Sequence, residues 1–455
     1  MKNIEYAFSL RIYWNFLKKY KFRVFFLLFL ILIVEASFII ENLVIKVIFD
    51  EGERLASGAI DATQFSEIMF LVIVFFIILG IVRAALKFLH IHTINRIDGN
   101  VIRDLKQYFF NHIVDLSYNF HTSHKTGSLI SKLTRTGSAI ERFTDVVVFQ
   151  MMPLIFKLLI TIIVLAFFHV PSAAIIFIIT LIFIGFSVIM QNIQAPYTIA
   201  ANDAEDDEKS QISDLLSNID SIKYFGKERF AEKRIDDKTT FTRKRQILQW
   251  DIYRWMDAGH HLILTIGTLV LLYFSTNSLI AGAITIGTLI FILTSFWGLI
   301  GHLFSFTHGM RSLVDSLANM DALFQYEKIT NDIPDGSKKL DIKKGTVSYK
   351  HITFGYTKKK VFRNLTIDIK AGQKVALVGH SGCGKSTLIK LLYRLYDPQK
   401  GDVYIDGINI KDITKESLRN SISIVPQECV LFDDTVYNNI LFANHKKKKK
   451  EVFKA

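Results

Sequence analysis

The stretch GHSGCGKS, residues 379–386, fits the pattern G-x-x-x-x-G-K-[ST]. Residues 374–378 (KVALV) before it predict a buried strand, and residues 387–392 (TLIKLL) after it predict a helix. A strand, a glycine loop and a helix N-terminus together form an anion site, because backbone N–H groups and the helix dipole both point at phosphate. Glycines let the backbone curl without a Cβ clash. We therefore predict a phosphate-binding loop in an α/β domain.

Two side chains of this loop would carry its chemistry. Lys385 would reach the terminal phosphates of ATP, and the Ser386 hydroxyl would take a place on Mg²⁺. Cys383 occupies a variable position of the loop, which favours packing over redox sensing. We therefore expect ATP and Mg²⁺ as cofactors.

The composition is that of a membrane protein. Of the 455 residues, 50% are hydrophobic and 38 are Phe, which indicates contact with lipid. A net charge of +13 suits either nucleic acid or an anionic membrane surface. The basic residues lie between apolar stretches rather than on one amphipathic face. We therefore expect a lipid bilayer as a partner and no nucleic acid.

Six apolar stretches are long enough to cross a bilayer as helices, at roughly 20 residues each. Basic residues precede the first stretch and fill residues 96–142 and 223–245, whereas residues 50–61 hold four acidic residues. The positive-inside rule then places both termini in the cytosol. We expect a multi-pass protein of the plasma (inner) membrane. The predicted spans are Val24–Ile45, Ser66–Leu86, Val146–His169, Ser172–Met190, Gly259–Ser275 and Ile284–Phe306.

Two long segments between the spans, residues 91–145 and 191–258, carry apolar residues at helical spacing among charges. This pattern predicts amphipathic helices that continue the membrane helices into the cytosol. A pair of surface loops is the alternative. After Phe324 the sequence changes to a turn-rich linker and then to short strands, Thr346–Tyr349 and Val361–Ile369. The predicted domains are residues 1–325 (six spans), 326–344 (linker) and 345–455 (the first part of an ATP-binding domain).

Six spans followed by a phosphate-binding loop resemble a half-transporter of the ATP-binding cassette (ABC) exporter family. Ile352–Tyr356 is similar to the family's adenine-stacking segment, and Ile424–Glu428 is similar to its Q-loop. Phe120–Leu129 and Ile222–Glu228 are similar to its two coupling-helix regions. Residues 426–440 also resemble heavy-metal and glutathione-conjugate exporters of the mitochondrial type, and there is some similarity to lipid and multidrug exporters.

The resemblance implies roles for further residues. Tyr356 would lie against the adenine base, and Gln427 would touch Mg²⁺ and relay the nucleotide state to the membrane helices. Lys385 and Gln427 are thus the candidate catalytic residues, and Ser386 and Gln427 are the candidate Mg²⁺ ligands. The candidate nucleotide-binding residues are Tyr356, Gly379, His380, Ser381, Gly382, Cys383, Gly384, Lys385, Ser386 and Thr387.

The family continues after its Q-loop with an LSGGQ-type motif, a Walker B strand and a switch histidine, and the 455 residues contain none of these. Phosphoryl transfer to water needs a positioned nucleophile and neutralised charge. We therefore expect the chain as written to bind ATP–Mg²⁺ weakly and not to hydrolyse it. A fragment or frameshifted reading of a longer gene is favoured over a natural degenerate protein. Val375–Val378 would then expose apolar surface.

Charged and histidine side chains also occur within the apolar stretches. Glu35 and Lys157 lie at equal depth in their predicted spans, which predicts an ion pair lining a substrate path. The alternative places Lys157 near the membrane interface, because its helix starts in the cytosol. His260, His261 and His302 lack the spacing to carboxylates or cysteines that a metal site needs.

These features predict a membrane all-α six-helix exporter domain with long cytosolic helical extensions, followed by a partial α/β P-loop ATPase domain. As an ABC-type ATPase, the protein would pair with a second half-transporter, as a homodimer or heterodimer. It would export a small hydrophobic or amphipathic substrate. Two alternatives remain open: a non-enzymatic membrane sensor or scaffold that binds nucleotide, and an exporter of peptides or proteins.

Overall fold

The computed structural model describes residues 5–124, 126–426, 430–444 and 447–454. The chain forms two compact units. The first unit comprises Met1–Ile113 and Gly127–Lys328, and the second comprises Val114–Thr126 and Ile329–Ala455. A short piece of chain between the second and third spans therefore belongs to the second unit.

The first unit is helical. It contains six helical stretches that are long and apolar enough to cross a membrane, so the six predicted spans are confirmed. A π-helical turn at Val146–Met151 joins two of its helices. The helices are α1 (Tyr6–Leu17), α2 (Lys21–Ala56), α3 (Ala62–Asp115), α5 (Thr126–Asp145), α6 (Met152–Phe168), α7 (Val170–Ser217), α8 (Ile219–Tyr224), α9 (Glu228–Ile280) and α10 (Ile286–Phe324), with α4 (Tyr118–Ser123) in the second unit.

Three of these helices extend well beyond the thickness of a bilayer. Helices α3, α7 and α9 have 54, 48 and 53 residues. At about 1.5 Å per residue they reach about 70–80 Å, more than twice the ~30 Å hydrocarbon core. The charged segments are therefore helical continuations of the spans, as predicted, and the alternative of surface loops is wrong.

Helices α7 and α9 pack closely because glycines on α9 face large side chains on α7. A Cβ on Gly267 would lie 2.8 Å from Ile179, and one on Gly259 would overlap the Phe186 ring. Small residues let helix backbones approach where the surrounding lipid is as apolar as the side chains. The Nε2 atom of His260 lies 2.7 Å from the Ser187 hydroxyl across the same interface. This histidine therefore serves helix packing.

The second unit contains a four-stranded antiparallel sheet with strand order β2-β1-β3-β4. Strands β1 (Val347–Phe354) and β2 (Phe362–Ile369) lie where the sequence predicts them. The remaining strands are β3 (Lys400–Ile405) and β4 (Ile408–Asn409), and the helices are α11 (Lys385–Leu392), α12 (Lys415–Asn420), α13 (Val436–Leu441) and α14 (Lys449–Lys454).

Buried side chains of β1 and α11 pack in one core and hold α11 against the sheet. The side chains of Ile352 and Leu391 are fully buried in the core of this unit. The Tyr349 hydroxyl donates a hydrogen bond to the Leu388 carbonyl at 3.1 Å. Burial raises the pKa of Tyr349 to about 12, so the phenol remains a donor at every physiological pH. The sheet thereby holds the helix that follows the phosphate-binding loop.

Asp406 anchors the chain that enters β1. Its carboxylate accepts hydrogen bonds from the backbone N–H groups of Lys343, Lys344 and Thr346 at 2.8, 2.9 and 2.8 Å. These backbone donors, first that of Lys344, hold the pKa of Asp406 well below its usual range. The half-buried Asp406 thus ties the β3–β4 turn to the start of β1.

The strand predicted at residues 374–378 is not formed. Within the described ranges no strand pairs with this segment, and Val378 is 89% exposed. A strand needs a neighbour to accept and donate its ladder hydrogen bonds, so hydrophobicity alone does not make one. The prediction that Val375–Val378 expose apolar surface is confirmed.

Candidate functional site

The phosphate-binding loop turns into α11 through a glycine that no other residue can replace without strain. Gly384 has a φ of +107°, in the left-handed region. A Cβ at this position would also lie 2.6 Å from the Phe362 ring of β2. Lys385, the next residue, begins α11. The backbone therefore forms a close turn at the N-terminus of a helix held against the sheet.

The Lys385 side chain curls back over the loop. Its Nζ atom donates hydrogen bonds to the carbonyls of Gly379 and His380 at 2.8 and 2.9 Å. The ammonium therefore lies at the helix end that carries the positive dipole charge. Two positive features in one place favour an anion such as phosphate.

The other predicted loop residues comprise one thiol close to this ammonium and several exposed side chains. The Cys383 Sγ atom lies 3.7 Å from Lys385 Nζ, and the thiol is partly buried. His380 and Ser381 are exposed, and Ser386 is exposed in the first turn of α11. The Ser386 hydroxyl is therefore available to a metal ion held beside the loop.

Tyr356 lies next to the first turn of α11. Its hydroxyl is 3.1 Å from the Thr387 Oγ1 atom. Phe354 and Tyr396 hold the Tyr356 ring by edge-to-face contacts, with ring centroids 5.1 Å away in both cases. Tyr356 also lines a cavity of about 210 Å³ within the second unit. The structure thus brings the predicted base-stacking ring and the predicted phosphate-binding loop together.

Sequence reasoning missed the side chains that join this site to α4. Tyr118 of α4 meets Tyr396 edge-on at 5.7 Å, and Lys390 Nζ lies 5.7 Å from the ring centroids of both Tyr118 and Tyr356. Lys390 follows Thr387 by three residues and shares its face of α11, so helical spacing would have indicated it. Tyr118 and Tyr396 are distant in sequence and carry no such signal. We call Tyr118, Tyr356 and Tyr396 the tyrosine cluster.

These residues fit a nucleoside triphosphate with Mg²⁺. The Gly384 turn leaves room only for backbone, as a phosphate cradle requires. Lys385 supplies a positive charge, Ser386 a hydroxyl oxygen and Tyr356 an aromatic face. Gln427 lies outside the described residues, so its predicted roles stay predictions.

The ion pair predicted between Glu35 and Lys157 is not formed. The Glu35 Oε2 atom lies 3.6 Å from His302 Nε2, and the Lys157 ammonium lies 4.9 Å from the Phe38 ring centroid. The two charges nevertheless line one cavity of the first unit. The prediction is wrong because an imidazole from α10 reaches the carboxylate, while the lysine packs on an aromatic ring.

Two family models match the chain. One describes the ABC transporter transmembrane region and covers residues 24–303. The other describes the ABC transporter and covers residues 362–455. The first alone covers more than half of the chain.

The chain is also similar to curated mitochondrial proteins. The iron-sulfur clusters transporter atm1 of Neurospora crassa is 32% identical over 348 residues, which are 75% of this chain and 49% of that protein. The iron-sulfur clusters transporter ABCB7 of Homo sapiens is 29% identical over 364 residues, 79% of this chain and 48% of that protein. The chain therefore spans about half the length of these relatives.

A solved structure shares the fold. It is that of a bacterial Atm1-family ABC exporter with ATP bound, and the TM-score is 0.79 at 22% identity. The match covers 95% of this chain and 75% of that chain. The predicted fold class is thereby confirmed: the chain belongs to the ABC transporter family and has the fold of an ABC exporter half-transporter.

Proposed function

We propose that this chain binds ATP–Mg²⁺ and, as half of an exporter, takes part in ATP-driven transport out of the compartment that supplies the ATP. The observation that carries the proposal is the Gly384 turn with the Lys385 ammonium at the start of α11. Lys385 would neutralise the terminal phosphates, Ser386 would hold Mg²⁺, and Tyr356 would stack on the base. Hydrolysis of ATP in the assembled exporter would supply the free energy for transport.

The tyrosine cluster supports a route from nucleotide to membrane helices. Tyr356 would sense the base, and Tyr396 joins it to Tyr118 of α4. Helix α4 follows α3, which ends at Asp115, after only a short connection. Movement of α4 on nucleotide binding would therefore act on a membrane-spanning helix through the chain itself.

Exposed apolar surface on the first unit supports a partner subunit. At the end of α8, Tyr224 is 85% exposed and the following Phe225 is 75% exposed. Such surface commonly marks a protein interaction site. We propose a second half-transporter as the partner. We also propose the domain limits that the sequence predicts. The proposed location is the plasma (inner) membrane with both termini cytosolic, although the relatives are named as mitochondrial.

The relatives' names bear on the substrate. They are iron-sulfur clusters transporters, so we propose that this chain carries a compound of that class rather than a purely hydrophobic molecule. The polar side chains of the first unit, Glu35 and Lys157, support a cargo with polar as well as apolar parts.

ATP binding tests the proposal. The purified chain in lipid nanodiscs is titrated with radiolabelled ATP and Mg²⁺. The Lys385→Ala variant should bind about 10- to 100-fold more weakly, because a hydrogen bond to a charged group contributes about 1.5–3 kcal/mol. Lys370→Ala, which changes an exposed lysine of the same unit, is the matched control.

Equal ATP binding by the two variants would overturn the assignment of the loop. The exporter and the membrane sensor are then compared in a chain extended with the family's LSGGQ-type motif, Walker B strand and switch histidine, because the 455 residues as written are expected not to hydrolyse ATP. ATP binding without vanadate-sensitive ATPase activity in that extended chain would favour the membrane sensor over the exporter.

A further inference from the structure

A cavity of about 290 Å³ lies inside the first unit, among four helices. Helices α2, α3, α6 and α10 each contribute at least one polar or charged side chain to its wall. Such side chains are rare within membrane bundles and mark functional positions. The polar and charged lining residues are Glu35, Lys87, His90, Lys157 and His302.

Three of these side chains are buried without adequate partners. Glu35, His90 and Lys157 are 4%, 2% and 5% exposed. The Oε2 atom of Glu35 and both ring nitrogens of His90 have no hydrogen-bond partner. Within the described part of the chain, the Lys157 ammonium makes no hydrogen bond and rests on the Phe38 ring. Burial of such groups costs free energy unless something in the cavity satisfies them.

Arg83, a neighbouring cation of the same unit, has both an ion-pair partner and a hydrogen-bond partner. The Arg83 guanidinium lies 2.5 Å from Glu41 Oε2 and donates a hydrogen bond to Ser37 Oγ at 2.9 Å. Lys157 has no such partner, yet the fold makes space for it: a Cβ on Gly298 of α10 would lie 3.1 Å from its Nζ atom. The Lys157 ammonium is therefore accommodated, but in the described part of the chain it makes no hydrogen bond and no direct ion pair.

The balance of charge around the cavity points to an anion. Lys87 and Lys157 supply two positive charges against the single carboxylate of Glu35. The two ammonium groups would repel a cation, and across the described ranges no group of three His, Cys, Asp or Glu residues could hold a metal ion. The remaining wall is apolar, and includes Ile31 and Phe149. An occupant with one anionic group and an apolar body would satisfy both parts.

We propose that this cavity binds the anionic group of an amphipathic organic anion and is a substrate-binding site of the exporter. Lys157 and Lys87 would be the charge partners, and His90 would donate a hydrogen bond. The inference rests on the proposed function, because it sharpens the class of compound that is carried. Glu35 opposes the anion and sets an upper limit on its affinity, so that release remains possible.

The test uses 4-phenylbutyrate as an amphipathic anion and 4-phenylbutanamide as its neutral counterpart. Binding to the full chain is measured by calorimetry in nanodiscs of zwitterionic lipid, without nucleotide. We expect saturable binding of the carboxylate and binding of the amide that is at least about tenfold weaker, since one charge-assisted contact is lost. Equal affinity for the two compounds would overturn the proposal.

Variants assign the site to the cavity. Lys157→Met keeps the length of the side chain and should weaken 4-phenylbutyrate about tenfold or more, whereas Lys157→Arg should restore most of the affinity. Lys46→Met removes a lysine of α2 that is already paired with Asp50, and should leave binding unchanged. Equal affinity of Lys157→Met and Lys46→Met for the probe would overturn the assignment.

A variant of opposite sign keeps the test decisive if Lys157→Met does not fold. Glu35→Gln removes the carboxylate that opposes the ligand, so binding of 4-phenylbutyrate should tighten about threefold to tenfold. Unchanged or weaker binding would overturn the proposal. Nanodiscs that contain phosphatidylglycerol form a further arm: displacement of the probe by this lipid would show a headgroup site and overturn the substrate role.

Failure of this inference is distinguishable from failure of the proposed function. ATP binding by the wild-type chain is measured on the same nanodisc preparation. Intact ATP binding with no selective binding of the carboxylate would end the inference and leave the function standing. Selective binding of the carboxylate with no ATP binding would leave an anion site in a protein without the proposed energy source.

Discussion

The two units each present a lysine beside a glycine, and the two lysines are held in opposite ways. Lys385 is half-buried at the loop and is held by two backbone carbonyls. Lys157 is buried among helices, and in the described part of the chain it makes no hydrogen bond. Gly384 shapes the backbone at the first, and Gly298 leaves side-chain space at the second. The first site is therefore built by backbone, and the second by the packing of side chains.

Because of this difference, the two lysines should affect ligand binding and the stability of the fold to different degrees. The Lys385 ammonium has two backbone carbonyls as partners, so its partial burial costs the fold little. A buried ammonium without a partner costs the fold free energy until a ligand arrives. Substitutions at the Lys385 site should therefore change ligand binding, whereas substitutions at Lys157 should change both ligand binding and folding stability.

The largest expected effect is at the backbone-built site. Gly384→Ala combines a left-handed φ with a Cβ that meets the Phe362 ring, and should weaken ATP binding about 30-fold or more. Gly382→Ala is the matched variant, because φ is +81° there but no atom lies within 4 Å of its Cβ. It should cost about tenfold. Equal losses, measured with labelled ATP, would show that the contact with β2 is irrelevant.

The next effect concerns the stability of the first unit. Lys157→Met should raise the free energy of unfolding by about 1–3 kcal/mol, because a buried charge without a partner is replaced by an apolar chain of similar length. Thermal unfolding is followed by tryptophan fluorescence in nanodiscs. Lys46→Met, which breaks an ion pair, should not stabilise the protein. A lower melting temperature for Lys157→Met would show that the ammonium is already satisfied.

A smaller effect should come from the glycine at the second site. In Gly298→Ala the new Cβ would lie 3.1 Å from the Lys157 ammonium, which is the flexible end of its side chain and can shift. We expect a change in stability within about 0.5 kcal/mol, but a twofold to threefold loss of 4-phenylbutyrate affinity, on the order of a few tenths of a kcal/mol. Gly301→Ala is the control on the same helix, since its Cβ would meet nothing within 4 Å.

The smallest effect concerns carboxylates: half-buried Asp406 has backbone donors, whereas buried Glu35 has none among the described residues. Backbone donors lower the pKa of Asp406 in the folded state, so its contribution to stability is present above the unfolded value of about 3.9 and is lost as pH falls through the folded value. Asp406→Asn should lower the melting temperature slightly at pH 7, and this difference should shrink below about pH 4.

Hydrogen exchange of residues 343–347 would localise the loss, and Asp341→Asn, an exposed aspartate nearby, is the control. A pH-independent difference between wild type and Asp406→Asn would show that the charge of the carboxylate does not matter.

The same contrast explains how much could be predicted from the sequence. The phosphate-binding loop is read from eight consecutive residues because its backbone conformation and its chemistry are local. The six spans follow from hydrophobicity and length alone. The proximity of His302 to Glu35 could not be predicted, because it depends on the packing of α10 against α2. The strand predicted at residues 374–378 was wrong for a related reason. A strand depends on neighbouring strands, and its own sequence does not reveal them.

The tyrosine cluster connects the ring predicted to stack on the base with a ring of α4. Tyr356 is gripped by Tyr396, and Tyr396 also touches Tyr118 of α4. Under the proposed function, a nucleotide whose base seats poorly on Tyr356 would be held by its phosphates yet leave α4 unmoved. Base stacking would then act after the phosphates are bound, and a nucleotide that lacks this contact would not move α4.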